Sequence, residues 1–185
     1  MASIRSGIGE NMEDRYLYKA KTTPKEKGEF NNVWVTGNLI VSNGKYYIHP
    51  VGNVVNVKNE TGRIIVMHEV IPDTICQCTG LKDKNGNLIW ENDIVDFLGQ
   101  KGLVKYECGS FGIGFKKTID WEEITSYIMP ITGCENALYA CENDNYISIW
   151  EIYWNFNDED DSVNTVEVIG NIFDGGFNGK NSKKD

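Results

Sequence analysis

Short runs of β-branched and aromatic residues, separated by tight-turn sequences, constrain the fold of this chain more than any other feature. Residues 33–41 (VWVTGNLIV) and residues 46–50 (YYIHP) flank the turn sequence SNGK. A type I′ turn needs a positive φ at both central residues, and Asn43 and Gly44 adopt such angles at low cost. The sequence therefore predicts an antiparallel hairpin here.

The same pattern recurs along the chain, with a second predicted hairpin around Gly62 and further strand–turn–strand patterns over residues 102–117. Residues 119–128 form the best short helix prediction, with Asp120 as its N-cap. The segment that follows is ambiguous between helix and strand, and residues 146–156 (YISIWEIYWNF) alternate like a strand. About eight to ten short strands indicate a mainly β protein, all-β or β-rich α+β, with antiparallel hairpins and one or two short helices.

One domain boundary is predicted near Pro72, where a proline and an acidic residue interrupt the strand pattern. It separates an N-terminal hairpin region, residues 14–72, from a C-terminal β-barrel module, residues 73–177. Residues 1–13 and 178–185 lack periodicity and are predicted to be flexible tails.

Acidic side chains are concentrated in the C-terminal part of the chain. The net charge is −9, and residues 118–179 contain thirteen Asp and Glu but no Lys or Arg. This distribution disfavours binding of nucleic acid to that part, since phosphate groups would be repelled. Its densest acidic run is predicted to be a solvated loop and a possible interaction site: Asp158, Glu159, Asp160 and Asp161.

No metal, cofactor or membrane is predicted as a partner. Runs of about 18 apolar residues are absent, and the N-terminus lacks the apolar centre of a signal peptide, so a cytoplasmic location with reduced thiols is expected. Cys76 and Cys78 would share one face of a strand, but a zinc site needs four ligands and no second pair follows. Burial as small apolar residues is the better prediction for both thiols.

Catalytic motifs are absent from the sequence. His49 and His68 are the two histidines, and neither lies in a recognised catalytic pattern. An enzyme with a site formed only by the fold, for example Glu91 or Asp93 with His68, is a remaining alternative.

Residues 69–95 (EVIPDTICQCTGLKDKNGNLIWENDIV) resemble the signature of the YopX family of phage and prophage proteins. Residues 166–173 (VEVIGNIF) resemble that family's closing motif, and the segment that begins at Asp14 (DRYLYKAK) its opening. Asn92 stands where the family usually has glycine. The resemblance implies a β-rich protein from a phage or mobile element, with a C-terminal small barrel of SH3-like type, and it implies no activity.

The signature is therefore expected to build the fold rather than to catalyse a reaction. Glu91 and Asp93 are expected to cap and orient turns between strands. The residues expected to be structural are Gly80, Leu81, Asp83, Asn85, Gly86, Ile89, Trp90, Glu91, Asp93 and Gly170.

Three kinds of binding function fit these observations. The leading hypothesis is a non-enzymatic module that binds a protein or assembles with itself. The acidic segment suggests instead a mimic of nucleic acid that occupies a host DNA-binding protein or nuclease. The third hypothesis is binding of single-stranded nucleic acid by the N-terminal half, where four lysines lie near aromatic strands: Lys19, Lys21, Lys25 and Lys27.

Overall fold

Antiparallel strands dominate the computed structural model of this chain. It describes residues 14–24, 32–51, 54–55, 64–107, 109–116, 145–156, 162–163 and 165–175. The strands are β1 (Tyr18–Lys21), β2 (Trp34–Ser42), β3 (Lys45–Pro50), β4 (Val54–Val55), β5 (Ile64–Ile65), β6 (His68–Glu69), β7 (Cys76–Asp83), β8 (Leu88–Trp90), β9 (Asp93–Phe97), β10 (Gln100–Glu107), β11 (Ser110–Phe115), β12 (Tyr146–Ser148), β13 (Ser162–Val163) and β14 (Val166–Asn171). The helices are the 3₁₀ turns Asp14–Tyr16 and Pro72–Thr74 and one α-helix, α1 (Ile149–Phe156).

The chain divides into two units, residues 1–80 and residues 81–185. The division lies within β7, beyond the boundary that the sequence suggests near Pro72. Each unit has its own cluster of buried apolar side chains.

In the first unit, β7, β1, β2, β3 and β6 are neighbours in one antiparallel sheet. The hairpin predicted at Asn43 and Gly44 is confirmed, because β2 pairs with β3 up to Ser42 and Lys45, and the two turn residues have φ angles of 50° and 75°. A second antiparallel pair, β4 with β5, flanks the predicted turn at Gly62, which itself lies outside the described residues.

The core of the first unit lies on one face of this sheet. It is centred on three fully or nearly fully buried side chains, Ala20, Ile48 and Val70. Ala20 is paired with Val35 across β1 and β2, so the alternation of side chains places the odd-numbered residues of β2 on the core side. The even-numbered residues of β2 consequently face away from this core.

In the second unit, five strands form an antiparallel sheet in the order β12-β11-β10-β9-β14. Its buried face carries Val95, Val104, Ile113 and Ile147, which are paired or neighbouring positions of adjacent strands. The end of β7 pairs with β8 and, in parallel, with β13. The apolar side chains that alternate along these strands thus form one side of the buried core of the second unit.

The short helix α1 corrects the prediction for residues 146–156. Alternation suggests one strand over the whole segment, whereas the structure has strand β12 followed by a helix from Ile149 to Phe156. Ile149 and Ile152 are both buried, and their i, i+3 spacing places them on the same face of the helix. That face packs against β11, β12 and β13.

The mainly β, antiparallel fold class is confirmed. The pairings within the described residues make open sheets and do not close a barrel. The predicted helix over residues 119–128 and the two predicted flexible tails lie outside the described residues. No helix in the described part of the chain is long and apolar enough to cross a membrane.

Candidate functional site

The turn of the signature is organised by the carboxylate of Asp83, which is fully buried at the end of β7. Its Oδ1 atom accepts hydrogen bonds from the backbone N–H of Asn85 at 2.9 Å and of Asn87 at 2.8 Å. Gly86 between them has a φ of 82°, a left-handed conformation that glycine adopts without strain. An acid and a glycine at this spacing therefore fix a tight turn between β7 and β8.

The same carboxylate also binds a distant strand. Oδ2 of Asp83 accepts the backbone N–H of Val168 on β14 at 3.0 Å, across a separation of 85 residues in sequence. The N–H of Lys84 donates to the carbonyl oxygen of Val166 at 2.9 Å. Since β14 is an edge strand of its sheet, this turn satisfies backbone groups that an exposed edge would present to other chains.

A salt bridge on the surface joins the same two segments. Nζ of Lys84 lies 2.6 Å from Oε2 of Glu167, and Nδ2 of Asn85 donates to Oε1 of Glu167 at 3.5 Å. The hydrogen bond from Lys84 holds the pKa of Glu167 below its ordinary value, and the same bond raises the pKa of Lys84.

The second aspartate of the signature, Asp93, is 1% exposed and holds the next corner. Its Oδ2 atom accepts the N–H of Trp90 at 2.9 Å, and its Oδ1 atom accepts Nδ2 of Asn171 at 2.9 Å. Between them, Asn92 has a φ of 64°, as expected for an asparagine at a position where the family usually has glycine. The N–H of Ile172 then donates to the carbonyl oxygen of Asn92 at 3.1 Å.

Most other residues of the signature lie in or beside this network. Leu81 and Ile89 are buried in the core of the second unit, and Gly80 ends the first unit with a φ of 81°. Glu91 is half-buried, and its carboxylate makes no hydrogen bond to another described residue, so Asp93 caps the corner. Gly170 lies at an irregularity in the pairing of β14 with β9.

The arrangement suits a structural role better than catalysis. Each carboxylate of the pair accepts backbone N–H groups inside the core, and hydrogen-bonded burial of this kind stabilises a fold. His49 and His68 lie in the first unit, where Nδ1 of His49 is 2.9 Å from the carbonyl oxygen of Val66. Among the described residues, no group of three or more His, Cys, Asp or Glu could hold a metal ion.

The thiols of the first unit are buried, as predicted. Cys76 and Cys78 are thiols rather than disulfide partners, and each is at most 1% exposed. Sγ of Cys76 donates to the carbonyl oxygen of Thr74 at 3.4 Å, and Sγ of Cys78 accepts the N–H of Gly80 at 3.4 Å.

The possible interaction residues are only partly described. The acidic run Asp158, Glu159, Asp160 and Asp161 lies outside the described residues, as do Lys25 and Lys27. Lys19 and Lys21 are both present on β1, with their ammonium groups 5.1 Å and 5.2 Å from the centre of the Trp34 ring.

Sequence reasoning missed the role of Asn171. It lies within the closing motif, and its spacing from Asp93 gave no local signal that the two side chains meet. Asn171 follows Gly170 in the closing motif and is buried. Because buried polar side chains need hydrogen bonds, a buried asparagine at this position indicates a hydrogen-bonding partner elsewhere in the core.

The signature and the closing motif both lie within the region that is similar to a known protein family. The model of the YopX protein family matches residues 12–176, which include both the signature and the closing motif. No curated protein matches the chain. This match covers most of the sequence, and the chain belongs to the YopX family.

Proposed function

We propose that this chain is a non-enzymatic interaction module of phage or prophage type, which acts in the host cytoplasm by binding a protein chain. The observation that carries the proposal is a pair of exposed isoleucines, Ile169 on the edge strand β14 and Ile172 directly after it. The side chain of Ile169 is 45% exposed and that of Ile172 is 38% exposed.

The buried network supports this location. Asp83 and Lys84 cover the backbone of β14 at Val166 and Val168, before the two isoleucines. The exposed segment thus begins where the covering turn ends. An edge strand that carries apolar side chains is a typical surface for contact with another chain.

The partner is a host protein or a second copy of this chain, and one experiment distinguishes the two. Tagged protein is purified from host lysate with low-salt and high-salt washes, and its mass in solution is measured beside the pull-down. The test variant is Ile169→Ser/Ile172→Ser, and the control is Val41→Ser, at a position 59% exposed in the first unit.

We expect a partner that survives the high-salt wash, because apolar contacts are not screened by salt, and that is lost in the double variant but not in the control. A mass that is a multiple of 20.9 kDa and falls in the double variant identifies the second copy as the partner. A monomer with the same retained proteins in all variants would contradict the proposal.

Two further expectations from the sequence are tested separately. The SH3-like barrel would require the open five-stranded sheet of the second unit to close, which an experimental structure would reveal. The nucleic-acid mimic has sequence support alone, and it predicts a partner that is lost at high salt and on neutralisation of Asp158, Glu159, Asp160 and Asp161.

A further inference from the structure

One face of the first unit's sheet combines aromatic and basic side chains in a row. Side chains directly opposite one another in paired strands point to the same face. The pairs on the face away from the buried core are Lys21 with Trp34, Lys19 with Thr36, Asn38 with His49, and Ile40 with Tyr47. We call this surface the basic aromatic face.

The face is accessible to a ligand along β2, whereas at its β7 side Cys76, which is paired with Lys19, is fully buried. None of the eight residues is buried, and Thr36 and Asn38 are exposed. Trp34 and Ile40 are six residues apart on one strand, which corresponds to about 20 Å at the usual rise per residue. Tyr47, which is paired with Ile40, therefore provides a second aromatic ring at the far end of the row.

The chemistry of the face matches a chain of bases and phosphates. The indole of Trp34 has two cations beside it, since the amines of Lys19 and Lys21 lie 5.1 Å and 5.2 Å from the centre of the ring. Aromatic rings that stack on bases, together with lysines that contact phosphates, are the two features of surfaces that bind single strands. Thr36, Asn38 and His49 between the rings can exchange hydrogen bonds with bases or sugars.

The charge of this unit permits such a ligand. Residues 1–80 carry nine Lys and Arg against eight Asp and Glu, whereas residues 81–185 carry nine against nineteen. Among the described residues, Glu69 is an acid beside the row, because it is paired with Tyr47, and its carboxylate lies 3.0 Å from Nζ of Lys45. The hydrogen bond to Glu69 raises the pKa of Lys45, and this salt bridge places a positive charge beside the acid.

We propose that the basic aromatic face binds single-stranded nucleic acid, with Trp34 and Tyr47 stacking on bases and Lys19 and Lys21 contacting phosphates. This function is separate from the protein contact proposed at Ile169 and Ile172. Aromatic rings on a sheet face favour a single strand over a duplex, whose bases are already stacked on one another.

The test measures binding of the full chain to a fluorescent oligothymidylate of about 12 nucleotides by anisotropy, a length within the range that such surfaces cover. Thr36 gives the sharpest variants, because its side chain is exposed and pairs with Lys19. We expect Thr36→Glu to weaken binding roughly tenfold by repelling phosphate, and Thr36→Lys to tighten it a few-fold. Lys101→Gln, an exposed lysine in the second unit, changes the net charge as Thr36→Glu does and should alter affinity less than about twofold.

Two further measurements separate stacking from simple charge attraction. Trp34→Phe should retain most of the affinity and Trp34→Leu should lose about tenfold, since base stacking on an aromatic ring contributes to binding. Affinity should fall steeply between about 50 mM and 200 mM salt.

Three outcomes would overturn the proposal. The first is no anisotropy change at protein concentrations up to about 100 µM at low salt. The second is equal affinity of the Thr36→Glu and Thr36→Lys variants. The third is competition by polyglutamate as effective as that by unlabelled oligothymidylate, which would indicate an acidic protein as the ligand instead.

Discussion

The side-chain amide of Asn171 donates a hydrogen bond of 2.9 Å to the carboxylate of Asp93 inside the core of the second unit. Asn171 is 4% exposed and Asp93 is 1% exposed. Residues 78 positions apart in the sequence therefore close one buried contact between the signature and the closing motif. Another contact between these motifs is the hydrogen bond from the N–H of Val168 to the carboxylate of Asp83.

Replacing Asn171 with aspartate should destabilise the protein in a pH-dependent way. Two carboxylates would then meet in the core, and their repulsion would raise the folded-state pKa of the pair above the unfolded value. We expect a loss of about 3 kcal/mol of unfolding free energy at pH 7, and a smaller loss as the pH falls, because protonation favours the folded state of this variant. Urea unfolding at several pH values measures this difference. Asn171→Ala, which adds no carboxylate, should show a shallower pH dependence.

Replacing Asp83 with asparagine should disturb both the turn and the attachment of β14. One of the two oxygens that accept N–H groups would become an NH₂ group and would face a donor. A buried donor without an acceptor costs about 1–3 kcal/mol, and we expect a loss in the upper part of that range. Asp96→Asn is the matched control, because Oδ1 of Asp96 accepts the N–H of Gly99 at an exposed position. Equal losses in the two variants would contradict the role assigned to Asp83.

Amide hydrogen exchange tests the hydrogen bond between Val168 and Asp83 separately from the unfolding measurements. The amide of Val168 should exchange faster in the Asp83→Asn variant than in the wild type, relative to amides of β10 and β11, because its acceptor is perturbed. Unchanged protection at Val168 would show that another group protects this amide.

The surface pair of Lys84 and Glu167 should contribute stability only in a defined pH window. The pKa of Glu167 lies below its ordinary value of 4.5, so its contribution is complete above that value and is lost as the pH falls through the folded-state pKa. The pKa of Lys84 lies above its ordinary value of 10.5, so its contribution is complete below that value and is lost as the pH rises further. In a double-mutant cycle with Lys84→Met and Glu167→Gln, the coupling should be small at pH 7, weaker at high salt and absent at about pH 2. A coupling that is independent of pH would contradict this assignment.

Much of the local structure can be predicted from the sequence because it depends on neighbouring residues. The Asn43-Gly44 hairpin, the turn after Asp83 and the left-handed conformation of Asn92 follow from side-chain size and local hydrogen bonds. Leu98 also has a positive φ, of 51°, and no local pattern predicts it for a bulky residue.

Contacts over long distances in sequence could not be predicted in this way. The residue type of Asp83 indicates a capped turn, but nothing near it indicates that its second oxygen binds Val168. The helix at Ile149 was missed for a related reason. The buried residues Ile147 and Ile149 are two positions apart, as in a strand, whereas Ile149 and Ile152 are three apart, as on one face of a helix. Only packing against the core decides between the two structures.

Two glycines on β11 should respond differently to the same substitution. A Cβ atom at Gly112 would collide with the ring of Tyr146 and would lie 2.6 Å from the carbonyl oxygen of Ile147, whereas the nearest atoms to one at Gly114 would be those of the Lys105 side chain, at 3.6 Å. We expect Gly112→Ala to lose about 1–3 kcal/mol of unfolding free energy, because backbone and a ring must shift. Gly114→Ala should be neutral or stabilising by about 0.5 kcal/mol. Urea unfolding of the two variants measures both values, and equal effects would contradict the packing of Tyr146 over Gly112.

The carboxylates of Asp83 and Asp93 hold the closing motif in place. The most direct test exchanges the two side chains of the buried pair and measures the unfolding free energies of four proteins: wild type, Asp93→Asn, Asn171→Asp and the double variant. In the double variant, the new asparagine can donate to the new aspartate, while the N–H groups of Trp90 and Phe173 still have oxygen acceptors. We predict that each single variant loses about 2–3 kcal/mol and that the double variant lies within about 1 kcal/mol of the wild type. Losses that simply add in the double variant would contradict the claim.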